Sequence, residues 1–279
     1  MKYDERLIGR NPGEAVLAAS KKRLEAMFKK RFETMSALRK ERRLVEAPAF
    51  ETVRAGAKDN PKIARAVEVA KKQAADRSRR RAKAPQRARV EGRQRLGSVA
   101  VTLVPPFWAW QWDSQTGQDA SGTVGVDGND GAMSFDAYTG DNGKTAAAAV
   151  AVGGYFQPLA DNGVLDVWAN PSVSFTEDTW TVFDSAHAGN FIGLYVGQYT
   201  LQGEFVQAVI DQQIHIGDGD GSTSGFPLFG STPCDSDHFY EIWVWAGGDA
   251  EADGWSVFWG SAALSYGSIV VPSISVYAY

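Results

Sequence analysis

Positive charge in this chain is confined to its front third. Residues 1–97 hold 28 of the 29 Lys and Arg residues against 12 of the 33 Asp and Glu, a net charge of +16. The remaining residues hold Lys144 alone against 21 acids, a net charge of −20, together with all nine tryptophans and all three histidines. So abrupt a change of composition near Leu96 and Gly97 marks a boundary between a basic arm, 1–97, and an acidic domain, 98–279.

The arm reads as helix. Asn11-Pro12-Gly13-Glu14 carries a capping residue, a proline at the first helical position and an early glutamate. Leu17, Leu24, Met27, Phe28, Met35 and Leu38 then recur at helical spacing, which predicts an amphipathic helix from Pro12 to Val45, ended by Ala47-Pro48. Asn60-Pro61 repeats the start signal ahead of a thin stripe of Ile63, Val67, Ala70 and Ala74. From Asp76 to Arg95 the chain has almost no large apolar residue, and 76–97 is expected to be partly disordered.

After Gly97 short alternating runs separated by Gly, Pro and Asx-Gly turns predict a mainly β fold. The expectation is an antiparallel β-sandwich, jelly-roll-like, of about ten strands. The predicted strands are Ser98–Val104, Ala132–Tyr138, Lys144–Gln157, Val164–Trp168, Ser172–Phe183, Phe191–Leu201, Phe205–Ile216, His238–Trp245, Trp255–Ala262 and Ile269–Tyr277. Cys234 is the single cysteine, so no intrachain disulfide forms and stability rests on packing. The charged first ten residues do not form a secretory signal, and the longest nearly apolar run, Ala146 to Tyr155, is too short to span a bilayer. The expectation is synthesis in the cytoplasm, with non-classical release or loading into a particle as routes outward.

Tryptophans are the most informative side chains. Trp108, Trp110 and Trp112 share one face of an extended segment, and Trp243 and Trp245 share a face with Phe239 and Glu241. Trp255 and Trp259 flank Val257 in the same way. Such a face fits three roles: sandwich core, subunit interface, or a platform where sugar rings stack and carboxylates bond hydroxyls. The candidate ligand or interface surface comprises Trp108, Trp110, Trp112, Asp235, Asp237, Glu241, Trp243 and Trp245.

Arg79, Arg80, Arg81, Arg87 and Arg89 are the candidate arm contacts, for an acidic partner or for nucleic acid. No helix-turn-helix spacing, zinc-ligand pattern or interleaved aromatic accompanies them. Asp218 and Asp220 alternate with glycines like calcium ligands, but Thr223 and Phe229 stand where an EF-hand needs glycine and glutamate, so no metal or other cofactor is expected beyond that weak calcium candidate. Asp235, Asp237, His238 and Glu241 beside Cys234 form the best catalytic constellation, yet no hydrolase or phosphate-loop motif appears, and no catalytic residue is assigned. His187 and His215 fit structural roles.

The leading expectation is a non-catalytic β-sandwich that assembles through its basic arm into a homo-oligomer or larger particle. A lectin-like module for a glycan or receptor is the alternative, and nucleic-acid binding through the arm is the second.

Overall fold

The computed structural model describes residues 13–57, 60–62, 65, 66, 69, 72, 101–140, 143–158, 163–181, 186–252 and 261–279. It is mainly β and antiparallel, with one long N-terminal helix, as the sequence predicts. Helix α1 spans Glu14–Ala57. The strands are β1 (Val101–Leu103), β2 (Trp108–Gly117), β3 (Ala120–Asp127), β4 (Ala132–Thr139), β5 (Gly143–Phe156), β6 (Gly163–Ala169), β7 (Ser172–Thr181) and β8 (Ala186–Thr200). They continue as β9 (Phe205–Asp211), β10 (Ile214–His215), β11 (Gly219–Thr223), β12 (Leu228–Cys234), β13 (His238–Ala252), β14 (Ser261–Val270) and β15 (Ile274–Ala278).

Three sheets result. The first has the order β1-β15-β6-β12, the second β10-β8-β13-β5-β2 with β9 also on β8, and the third β11-β7-β14-β4-β3. The second and third pack face to face. Met133, Phe135 and Ala137 of β4 point inward against Ala148 and Val150 of β5 and Ile242, Val244 and Ala246 of β13. The inner face of the first sheet, with Leu165, Val167, Leu228, Ile274 and Val276, extends the same core. Buried Asn190 and Ser265 tie the layers together: Asn190 Nδ2 donates to Thr176 O at 3.0 Å, and the Ser265 hydroxyl contacts Gly189 O at 2.9 Å and Asn190 Oδ1.

Several boundaries differ from expectation, each for a physical reason. Helix α1 does not stop at Ala47-Pro48 but runs through Pro48 to Ala57. A mid-helix proline costs about 3 kcal/mol, yet the Ala-, Glu- and Arg-rich sequence on both sides has high helix propensity. The Thr52 hydroxyl donates back to Pro48 O at 3.1 Å. Asn60 caps as predicted, its side chain accepting from Lys62 N at 3.1 Å. The apolar stripe Ile63, Val67, Ala70 and Ala74 lies outside the described residues.

Strand β13 continues seven residues past Trp245, through Gly247-Gly248. Those glycines mark close approach rather than a turn: a Cβ on Gly248 would sit 1.8 Å from Ser265 Oγ and 2.7 Å from the Phe135 ring. The predicted strand Phe205–Ile216 breaks at Gln212 into β9 and β10, both paired with β8. Strands β2, β3, β11 and β12 add to the predicted set, the predicted Ile269–Tyr277 strand breaks at 271–273 around Pro272 into the end of β14 and β15 in different sheets, and the start of the predicted Trp255–Ala262 strand falls outside the described residues. Among the described residues, no helix is long and apolar enough to cross a membrane.

Candidate functional site

Strand register assembles the predicted tryptophans. Trp243 lies between Tyr195 on β8 and Gly153 on β5, and Gly153 lies beside Trp108 on β2. Trp245 lies between Gly193 and Ala151, with Trp110 beyond Ala151; Ala149 separates Gly247 from Trp112. Alanines and glycine on β5 therefore form a trough walled by the tryptophans of β2 and β13. On this outer face of the second sheet stand Trp108, Trp110, Trp112, Trp243, Trp245 and Glu241, six of the eight residues predicted as a ligand or interface surface.

Helix α1 fills that trough. Leu24 and Phe28 are buried in it, with Leu17 and Met27 alongside. The Phe28 ring stacks on Trp110 at 5.1 Å and meets the edge of Trp245 at 4.9 Å, while Phe32 lies 5.3 Å from Trp112. Three arginines follow at eight-residue spacing, each step turning about 80° around the helix axis, and their long side chains reach the domain at different points. The Arg23 guanidinium lies 3.5 Å over the Phe205 ring. Arg31 sits 4.9 Å over Trp245 and pairs with Asp211. Arg39 pairs with Asp249 and, at 3.4 Å, with Glu251. Leu38, predicted to belong to the apolar stripe, is exposed, because the helix has by then passed the tryptophans and overhangs a cleft.

The face is therefore an interface with the chain's own arm. Glu241 is buried beneath the helix and accepts from the Tyr199 hydroxyl at 2.9 Å. Desolvation raises its pKa; Ser20, Tyr199, Trp243 and Arg23 pull it back down. Ser20 Oγ and Trp243 Nε1 lie near enough to act on that carboxylate but do not reach hydrogen-bond geometry, and among the described residues Glu241 Oε1 has no hydrogen-bond partner. Burial raises the Tyr199 phenol pKa and the same carboxylate raises it further.

Asp235 and Asp237 do not join this face. The Asp235 backbone N–H donates to the Tyr240 hydroxyl at 3.2 Å, and Tyr240 projects into the core on the opposite side of β13 from Glu241. His238 Nδ1 lies 3.5 Å from Asp235 Oδ2. Cys234 is buried as a free thiol with its pKa pushed up by desolvation and by Asp235. The predicted acid-histidine constellation is thus divided between two sides of a sheet rather than gathered in one cleft. Arg79, Arg80, Arg81, Arg87 and Arg89 lie outside the described residues, as do Trp255 and Trp259. Asp220 lies in β11 opposite Thr176, whereas Asp218 approaches His215 at 3.6 Å.

A second aromatic surface escapes prediction and is uncovered. On the outer face of the first sheet, Trp168 of β6 is the register partner of Phe229 of β12, and their rings lie 4.2 Å apart. Both remain 40% exposed. One step along, Asp166 pairs with Ser231 on one side and Tyr277 on the other, and Ser275 flanks Trp168. The Tyr279 hydroxyl donates to Asp166 Oδ2 at 3.2 Å, while Asp166 Oδ1 is enclosed and, among the described residues, has no hydrogen-bond partner. The signal was present in the run Leu165-Asp166-Val167-Trp168, whose alternation sends Leu165 and Val167 inward and the acid and indole outward together. Phe229 was hidden because Gly230 and Pro233 disguise β12.

No family model and no curated protein matches the sequence. Among solved structures, the chain is similar to the enzymatically active domain of bacteriophage CBA120 tailspike protein 4, at 14% identity over 61% of this chain and a TM-score of 0.26. The chain spans 19% of the tailspike's length. It is also similar to TmCBM61 in complex with β-1,4-galactotriose, at 7% identity, covering 61% of this chain and 88% of that one, with a TM-score of 0.20. A family 11 carbohydrate-binding module of the Clostridium thermocellum cellulase Lic26A-Cel5E follows at 11% identity, 60% and 86% coverage and a TM-score of 0.21. At those TM-scores the likenesses do not extend to a shared site.

Proposed function

We propose that the chain is a non-catalytic carbohydrate-binding β-sandwich whose platform is the outer face of the first sheet. The observation that supports this reading is the exposed Trp168–Phe229 pair on a sheet face that also carries the partly buried Asp166 carboxylate. Sugar rings offer C–H faces to aromatics and hydroxyls to carboxylate and phenol acceptors, so flat rings flanked by Asp166, Tyr277 and Tyr279 suit both ends of the ligand. With 21 acids against one base in residues 98–279, the domain repels anionic polymers, which makes a neutral saccharide the ligand class. The test is a glycan array with the full chain, followed by titration of the best ligand. Trp168→Ala is expected to lower affinity about thirtyfold, as loss of a central aromatic costs roughly 2 kcal/mol. Its circular dichroism should be unchanged, because the ring lies outside the core. An array without binding, or affinity indifferent to Trp168→Ala, contradicts the reading.

The second reading is assembly, and the docked helix favours it. Helix α1 meets the second sheet through side chains of matched shape and opposite charge, and the same contacts can form between copies by arm exchange. Under this reading the mass in solution is a multiple of 30.2 kDa and falls as salt screens the exposed part of the joint. A monomer at all salt concentrations contradicts it.

A further inference from the structure

Where the second and third sheets meet at one end, three ligating side chains converge outside both aromatic faces. Glu177 comes from β7 in the third sheet, His215 from β10 in the second, and Asp218 from the turn into β11. His215 Nε2 lies 2.9 Å from Glu177 Oε2 and 3.6 Å from Asp218 Oδ1, and the three donor atoms all fall within 4.8 Å of one another. Metal–ligand bonds of about 2.1 Å at tetrahedral angles hold donors roughly 3.4 Å apart, so these spacings close around a small cation with little movement.

The donors are held in place. Glu177 Oε2 accepts the Asn190 backbone N–H at 3.2 Å, which fixes the carboxylate towards His215. The His215 ring lies 5.7 Å from that of Phe191. Gly219 adopts φ +74°, a backbone turn that L side chains avoid, immediately after Asp218. The site opens onto a cleft of about 380 Å³ that is also lined by His187 and overhung by Met35, Leu38 and Arg39 of α1. The Arg39 guanidinium, the nearby positive charge, is turned to Asp249 and Glu251.

We propose that Glu177, His215 and Asp218 form a site for a divalent transition-metal cation of the zinc class, stapling the second sheet to the third. An imidazole nitrogen with two carboxylate oxygens suits zinc and its neighbours, whereas calcium takes six to eight oxygens and magnesium keeps its waters. The calcium candidate pair Asp218 and Asp220 is thereby divided, with Asp218 serving a different ion and Asp220 outside the group.

The test uses the tag-free full chain after chelator treatment, titrated calorimetrically with zinc chloride and, in parallel, with calcium chloride. The expected result is one zinc per chain, calcium binding weaker than zinc, and a rise in melting temperature on zinc addition. His215→Ala and Glu177→Gln should each weaken zinc roughly tenfold or more. Should either variant fail to fold, X-ray absorption of the cobalt-loaded wild-type chain decides, because the proposal requires one imidazole among the ligands. Absence of zinc binding, zinc binding unchanged in both folded variants, or a metal shell without imidazole would overturn it.

Discussion

Arg39 joins the basic arm to two buried carboxylates of the acidic domain. Asp249 and Glu251 both lie beneath it almost without solvent. Burial raises the Asp249 pKa and Arg39 lowers it, so the guanidinium is what favours the charged form there. Removing one partner of such a pair leaves a buried charge that costs about 3–5 kcal/mol. Arg39→Ala is therefore expected to destabilise the protein by that order at neutral pH. A carboxyl whose folded-state pKa lies above its unfolded value binds more protons when folded, so stability falls as pH rises through the interval between the two. Taking away Arg39 widens that interval for Asp249; the deficit should shrink on acidification towards pH 4, as urea melts at several pH values would record. Asp136, raised by burial from 3.8 to about 6, contributes a slope of the same sign in both proteins and cancels in the difference. A deficit constant with pH would contradict the assigned role.

At the scale of single elements, helix α1 shows what the sequence could and could not convey. Its start and its apolar residues Leu17, Leu24 and Phe28 were legible from spacing alone, because an amphipathic stripe needs only local geometry. Its end was not, since the penalty at Pro48 is outweighed by propensity summed over neighbouring turns. What the stripe packs against was also hidden. Spacing placed Trp108, Trp110 and Trp112 on one face and Trp243 and Trp245 on another, but only the register through Ala149, Ala151 and Gly153 of β5 joins the two. Gly193 illustrates the same limit: a Cβ there would lie 1.9 Å from Gln212 O and 2.5 Å from Trp245 Nε1, so its size is set by residues nineteen and fifty-two positions away. Phe28 is the keystone of the joint. Phe28→Ala should cost about 3–5 kcal/mol where the ring cannot be replaced by neighbours. With the helix loosened, tryptophan emission should shift to the red as Trp110 and Trp245 gain water, while far-UV circular dichroism keeps its strand signal. An unshifted emission maximum would show that the helix does not need that ring.

For the whole molecule, the opposite charges of arm and domain meet along one sheet face, and a different aromatic face is left open. Most of the tryptophan surface that the sequence offered as a platform is sealed by the helix, whereas Trp168 and Phe229 are left open by it. Under the proposed function, the covered aromatic face is structural and the open one binds ligand. Hydrogen–deuterium exchange on the full chain, with and without a neutral oligosaccharide selected on the array, tests it most directly. Without ligand, the backbone of α1 around Leu24 and Phe28 and of β13 should already be protected. With ligand, added protection should appear in β6 and β12 around Trp168 and Phe229 and leave α1, β2 and β13 unchanged. Protection gained instead at Trp110 and Trp243, with α1 released into exchange, would contradict the account.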